Sequence, residues 1–159
     1  MAESCLNEYH MQFLRLLVDH SVRFLIVGGQ ARAVHHGAPT RDLDLWLDIS
    51  NENRPASDLA LLSWATKYPR HSAADFTPPL PLRPDVQIKF PDDEVLYLGA
   101  DGQPKEIGPA DCIDLLTSIG PADFAAHYGR ADWRSVAGLY LPFLARGDLD
   151  SISPLKSRP

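Results

Sequence analysis

The sequence predicts an α/β (α+β) domain with a mixed β-sheet flanked by helices, and three consecutive features carry that prediction. Residues 24–27 form a continuous apolar run of strand length, typical of a strand covered on both faces. A Gly-Gly pair follows, and a short helix is expected over residues 30–36. Residues 42–48 then alternate strictly between leucines and mainly polar side chains, which is the strand period. Helices packed against a sheet account for this order of elements.

The remaining elements follow from the same periodicities. Leu59, Leu62 and Ala65 are predicted to face inward from their helix. A proline-rich segment over residues 72–84 predicts irregular structure. Further helices are expected over 7–19, 56–68 and 121–128, and further strands over 86–90, 95–98 and 112–116, with one or two more within 133–144.

The length and composition are those of one globular domain. The chain has 159 residues, of which 45% are hydrophobic and 23% charged. We expect a single domain over residues 1–150 and a frayed tail over 151–159. The net charge of −6 excludes bulk DNA binding through the phosphate backbone, although a nucleic acid could still dock locally.

The sequence also predicts a cytoplasmic protein with no membrane partner. No stretch approaches the roughly 20 apolar residues that a membrane helix needs. The acidic N-terminal region is unlike a signal peptide. Cys5 and Cys112 do not form a C-x-x-C pair, so no metal site based on sulfur is expected.

Gly28-Gly29 is a candidate phosphate-binding turn, because it lies between the buried strand and the short helix. Glycines there allow a tight turn and let a phosphate approach the backbone amides. The start of the next helix adds partial positive charge. The alternative is a tight turn with no ligand.

Asp42 and Asp44 are candidate metal ligands. Residues i and i+2 of a strand point to the same side, and their Cα atoms lie roughly 6.5 Å apart. Mg²⁺ prefers hard oxygen ligands and often shares carboxylates with substrate phosphates. The alternative is a solvated strand face.

The two motifs together resemble those of the DNA polymerase β-like nucleotidyltransferase superfamily, and most of all its small bacterial minimal and AbiEii-toxin-like members. The matching stretch is FLIVGGQARAVHHGAPTRDLDLWLDISNEN, and a second match is CIDLLTSIGPADF. The resemblance implies dependence on Mg²⁺ (or Mn²⁺) and transfer of a nucleoside monophosphate from an NTP to a hydroxyl.

The resemblance also implies roles for individual residues. Asp42 and Asp44 would be catalytic ligands shared by two metal ions, and Asp114 would be the third carboxylate, ligating a metal and acting on the attacking hydroxyl. Asp85 is the rival for that third position, but Asp114 is preferred because residues 113–116 have the pattern of a buried strand, whereas Asp85 follows Pro84 in a more polar setting. Asp48 lies about 13 Å beyond Asp44 and is expected to be structural.

The candidate residues for holding the nucleotide are Gly28, Gly29, Arg32 and Arg41, and the alternative for Arg32 is a solvated surface arginine. Arg41 stands directly before Asp42, whereas relatives carry an arginine before the threonine. Trp46 shares the carboxylate face, where it either stacks on a base or packs in the core.

The acceptor is left open as an RNA 3′ end such as that of tRNA, a protein side chain or a small molecule. The toxin-like resemblance favours RNA or protein and implies an antitoxin partner. Two alternatives remain: an inactive nucleotide-binding or protein-interaction module of the same fold, and a structural protein whose aspartates are simply solvated.

Overall fold

The computed structural model describes residues 5–71 and 83–152, which contain five α-helices and eight strands. The helices are α1 (Glu8–Asp19), α2 (Gly28–His36), α3 (Arg54–Lys67), α4 (Phe124–Gly129) and α5 (Arg146–Ile152). The strands are β1 (Phe24–Val27), β2 (Leu43–Leu47), β3 (Gln87–Phe90), β4 (Val95–Leu98), β5 (Pro104–Ile107), β6 (Ile113–Leu116), β7 (Asp132–Val136) and β8 (Leu139–Phe143).

Six of these strands form one mixed sheet in the order β3-β6-β2-β1-β8-β7. Strand β2 lies antiparallel to β1 and parallel to β6, and β3 runs antiparallel to β6. Strands β4 and β5 form a separate two-stranded sheet. The predicted mixed sheet flanked by helices is therefore confirmed, and the arrangement is consistent with a nucleotidyltransferase-like fold.

Strand β2 sends its side chains into two different cores. Leu43, Leu45 and Leu47 join the larger cluster, which includes Phe13 of α1 and Trp64 of α3. On the opposite face, buried residues of β1, β2 and β6 form a second cluster with residues of α2 and α5: Leu25, Val27, Ala31, Trp46, Leu116 and Leu149. The predicted alternation of β2 is thus confirmed, and the carboxylates share the face of the smaller core.

The predicted rotation of the third helix is wrong for two of its three residues, since Ala65 alone packs against the core as expected. Leu59 and Leu62, expected to face inward, are 57% and 45% exposed, whereas Leu61 and Trp64 are buried. The Trp64 ring packs edge-on against Tyr9 at a centroid distance of 5.3 Å. Burying this large aromatic ring outweighs burying two leucines, so it sets the rotation of the helix.

Several boundaries differ from the prediction. Helix α2 begins at Gly28, so the glycine pair forms its first turn and is not a separate connector. Helix α4 begins at Phe124 instead of residue 121, because the Asp123 side chain caps the backbone N–H of Ala126. Strands β2 and β6 each begin one residue later than expected, at Leu43 and Ile113.

Two elements were not predicted. Strand β5 contains proline and charged residues, and only its pairing with β4 makes it a strand. Helix α5 continues through Ile152, beyond the expected domain limit at residue 150. The rest of the expected tail, 153–159, and residues 72–82 of the expected irregular segment lie outside the described residues. Among the helices described, none has the length and apolarity needed to cross a membrane.

Candidate functional site

Two adjacent parallel strands bring together four side chains of the types that can ligate metals. Asp44 on β2 and Asp114 on β6 are register partners. Asp42 lies two residues before Asp44, and Cys112 lies two residues before Asp114. The two chains remain hydrogen-bonded at this point, since Leu43 N donates to Cys112 O at 2.9 Å. Since side chains alternate along a strand, these four project from the same face. The D-x-D motif of β2 thus lies beside a C-x-D motif of β6.

Three of the four side chains form a compact cluster. One ligand atom each from Asp42, Cys112 and Asp114 lies within 4.8 Å of the others. Cys112 Sγ is 3.8 Å from Asp114 Oδ2. Asp114 is only 8% exposed, so its carboxylate is held in a largely desolvated position. Such a group favours a positively charged neighbour or ligand.

Asp44 lies directly against the start of α2. A Cβ atom added to Gly28 would overlap Asp44 Oδ2, and Gly28 also has a positive φ of 61°. A Cβ atom on Gly29 would lie 2.5 Å from Thr40 Oγ1. Glycine at position 28 therefore lets the helix start approach the carboxylate strand, and glycine at position 29 leaves room for the Thr40 side chain. The start of α2 thus lies beside Asp44.

Neighbouring polar groups orient the carboxylates. Thr40 Oγ1 donates to Asp42 Oδ1 at 3.0 Å, and Gln87 Nε2 donates to Asp114 Oδ1 at 3.1 Å. Gln30 Nε2 holds the backbone of the same strand by donating to Asp42 O at 2.9 Å. Hydrogen bonds of this kind fix the orientation of ligating carboxylates in metal sites.

The two predicted arginines differ in their surroundings, and an unpredicted lysine lies on the face of the cluster. Arg41 donates through Nε and Nη2 to the two carboxylate oxygens of Asp111, at 3.0 and 2.8 Å, and is 70% exposed. Its guanidinium is thus engaged by an acid outside the cluster. Arg32 lies half-buried on α2. Lys89 of β3, which sequence analysis missed, is the register partner of Asp114 and therefore shares its face.

The structure separates the remaining candidates from the cluster. Asp85 is exposed and accepts a hydrogen bond from Ser118 Oγ at 3.2 Å. Asp48 pairs with Arg23 at 3.0 Å, as a structural ion pair would. Trp46 is buried and packs edge-on against Phe124. Core packing, the second of its two predicted roles, is the one observed.

Cys112 is the functional candidate that sequence analysis set aside. Burial raises the pKa of its thiol to about 12, and the carboxylates of Asp114, Asp42 and Asp44 act in the same direction, opposed by Lys89. The absence of a C-x-x-C pair led to the expectation of no sulfur ligand. The useful pattern was the C-x-D spacing, which matches D-x-D and becomes informative once β2 and β6 are known to pair.

No protein-family model matches the chain, and no curated protein matches it at a significant level. A function is therefore inferred from the chemistry of this site together with the motif resemblance.

Proposed function

We propose that the protein is a metal-dependent nucleotidyltransferase that transfers NMP from an NTP to a hydroxyl acceptor. The observation that carries this proposal is the register pairing of Asp44 with Asp114, which joins the D-x-D motif to a third carboxylate on one face. Asp42 extends the same face, with a carboxylate oxygen within 4.8 Å of one of Asp114. Convergent carboxylates beside a helix start suit chemistry on a metal-bound phosphate.

The donor set fits a hard divalent cation. Asp42, Asp44 and Asp114 would hold Mg²⁺ or Mn²⁺, since carboxylate oxygens are the ligands these ions prefer. When bound, such ions stabilise the charge that develops on the phosphate and on the leaving pyrophosphate. The hydrogen bonds from Thr40 to Asp42 and from Gln87 to Asp114 would help to hold these carboxylates in place as ligands.

Other residues of the chain bind and position the reactants. The amides at Gly28 and Gly29 hold phosphate oxygens at the start of α2. The ammonium of Lys89 supplies a positive charge beside Asp114, the role that Arg41 was expected to fill and that Arg32 would share. Asp114 orients the attacking hydroxyl or accepts its proton.

The acceptor is proposed to be an RNA 3′ end, such as that of tRNA, or a protein side chain. Support comes from the resemblance to toxin-like nucleotidyltransferases, which also suggests an antitoxin as a protein partner. The cytoplasm is the proposed location, because both cysteines are free, as thiols are in a reducing compartment.

A catalytically inactive nucleotide-binding or protein-interaction module of the same fold is the second candidate. The observation that favours it is the bidentate pairing of Arg41 with Asp111, which engages an expected partner of the triphosphate. Weak charge stabilisation at the phosphates would permit binding and oppose turnover.

Incubation with each α-labelled NTP, Mg²⁺, total tRNA and a protein mixture tests the proposal. The unmodified chain is compared with an Asp42→Ala/Asp44→Ala variant. Asp85→Ala is the control, because the Asp85 carboxylate lies outside the cluster. Label should enter RNA or protein with the unmodified chain and with Asp85→Ala only. Binding of NTP without transfer would favour the inactive module, and absence of both would exclude the proposed function.

A further inference from the structure

We propose that Cys112 supplies a sulfur ligand to the cation held between β2 and β6, so that the site binds thiophilic divalent ions such as Zn²⁺ and Cd²⁺ more tightly than Mg²⁺. An ion of this kind competes with Mg²⁺ for Asp42 and Asp114 and thereby regulates the site. The inference rests on the metal site of the proposed function and does not require nucleotidyl transfer to occur.

The separation of the donor atoms carries the inference. In tetrahedral sites Zn²⁺ lies about 2.3 Å from sulfur and about 2.1 Å from oxygen, which places the two donors about 3.6 Å apart. Cys112 Sγ and Asp114 Oδ2 are 3.8 Å apart, and Asp42 has a ligand atom within 4.8 Å of both. The sulfur and the Asp114 oxygen are thus already near the spacing of two zinc ligands, and the Asp42 carboxylate would move inward by up to about 1.2 Å to supply a third.

The position of the sulfur is fixed by the sheet. Cys112 O accepts from Leu43 N, and Cys112 N donates to Pro109 O at 3.3 Å, so both backbone groups are engaged. The side chain is only 2% exposed and points to the same face as Asp114. The sulfur is therefore held beside the carboxylates and away from bulk solvent.

The surrounding hydrogen bonds suit a ligand set made of Asp42, Cys112 and Asp114. Thr40 and Gln87 each donate to Oδ1 of one carboxylate, while Asp114 Oδ2 is the oxygen that faces the sulfur. Outer hydrogen bonds that hold one carboxylate oxygen are typical of metal ligands.

The chemical class of the ion follows from the mixed donors. Thiolate ligands select soft or borderline ions, whereas Mg²⁺ binds oxygen donors. On binding, a metal–sulfur bond forms at Cys112 Sγ and the thiol proton is released to solvent. Oxygen ligation by Asp42 and Asp114 remains available to either class of ion.

Cadmium titration of the full chain tests the inference through the sulfur-to-cadmium charge-transfer absorption. The unmodified protein and Cys5→Ser should develop the band in proportion to bound Cd²⁺. Cys112→Ser should lack the band and bind Cd²⁺ about tenfold more weakly. Its affinity for Mn²⁺, measured from the free-ion paramagnetic resonance signal, should change by no more than about twofold.

A charge-transfer band in Cys112→Ser, or Cd²⁺ bound to the unmodified chain without a band, would overturn the inference. Cadmium NMR of the unmodified protein provides a readout that does not depend on the folding of a variant, because sulfur and oxygen ligation give well-separated shifts. Label transfer in Mg²⁺, measured separately, distinguishes the two proposals. A charge-transfer band without label transfer would support sulfur ligation by Cys112 and contradict the proposed nucleotidyltransferase activity. Label transfer without a band would support the activity and overturn sulfur ligation.

Discussion

Asp44 and Asp114 face each other as register partners on the parallel strands β2 and β6, with the Cα pairing continuing on either side of them. Neighbouring strands lie about 4.8 Å apart, a spacing that one cation can bridge with a carboxylate from each strand. Like-charged side chains on opposed residues of neighbouring strands repel each other, and a bound cation would offset that repulsion. The effect of removing the Asp114 carboxylate on activity can therefore be predicted.

Replacing Asp114 by Asn should lower the rate of nucleotidyl transfer by about a hundredfold or more, because the amide neither ligates Mg²⁺ well nor accepts a proton from the hydroxyl. Stability should change little, since the amide retains the size of the side chain. Steady-state transfer of labelled NMP gives the rate. The control is Asp85→Asn, which should stay within about twofold of the unmodified chain; equal losses in both variants would remove Asp114 from the proposed role.

Replacing Gly28 by Ala should destabilise the fold by about 2–4 kcal/mol, through left-handed backbone strain and overlap with Asp44 Oδ2. Gly37→Ala is the matched control, because its φ is +73° and its added Cβ atom would meet no other atom within 4 Å. That variant should lose about 1 kcal/mol. Urea unfolding measures both. Combining Gly28→Ala with Asp44→Ala should recover part of the loss, and no recovery would count against the overlap.

Replacing Lys89 by Met should raise KM for the NTP about tenfold while changing kcat less, because the ammonium beside Asp114 is proposed to bind phosphate in the ground state. The long apolar stem of Met preserves much of the packing of the lysine side chain. Lys67→Met on α3 is the control, since Lys67 lies on a helix that packs against the opposite face of the sheet. A KM equal in both variants would contradict this role for Lys89.

The two cysteines should differ strongly in reactivity toward a thiol reagent. Cys112 is buried and its thiol has a pKa raised by burial to about 12, so little thiolate is present near neutral pH. Cys5 is partly exposed. One thiol should therefore react in the folded protein and two in urea, and Cys5→Ser should abolish the reaction of the folded state. Rapid labelling of Cys112 in the folded chain would contradict its burial.

Stability should fall as the pH drops below about 6.5. Burial lowers the pKa of His10 and of His71, whose rings accept at Nδ1 from Asn7 N and Tyr9 OH respectively. Each ring stays neutral in the folded state while the unfolded chain gains a proton. Each histidine then costs up to about 1.4 kcal/mol per pH unit below the unfolded pKa, with no cost above it.

Urea unfolding at a series of pH values measures this dependence. The slope of the free energy of unfolding against pH should flatten between pH 7 and 5 in His10→Asn/His71→Asn, whatever the absolute stability of that variant. An unchanged slope would assign the acid sensitivity to other groups.

Local sequence patterns determined most of the secondary structure. Strands β1 and β4 occur at the predicted residues, because a short apolar run is enough to define each of them. The rotation of α3 was not predictable in this way, because Trp64 finds its aromatic partner on another helix. Strand β5 was missed for a similar reason: its residues form a strand only when paired with β4.

The sequence by itself also determined that Asp42 and Asp44 point to the same side, because two residues separated by one position on a strand share a face. It ranked Asp114 above Asp85 because residues 113–116 have the pattern of a buried strand, in which a carboxylate needs a reason to be present. The register of β2, β6 and β3 decided which residues lie next to Asp42 and Asp44. Asp114 and Cys112 come from the neighbouring strand β6, and Lys89 comes from β3, the strand after it. The physical reason is that alternation along a strand is local geometry, whereas strand order and register depend on burying side chains on both faces of the whole sheet.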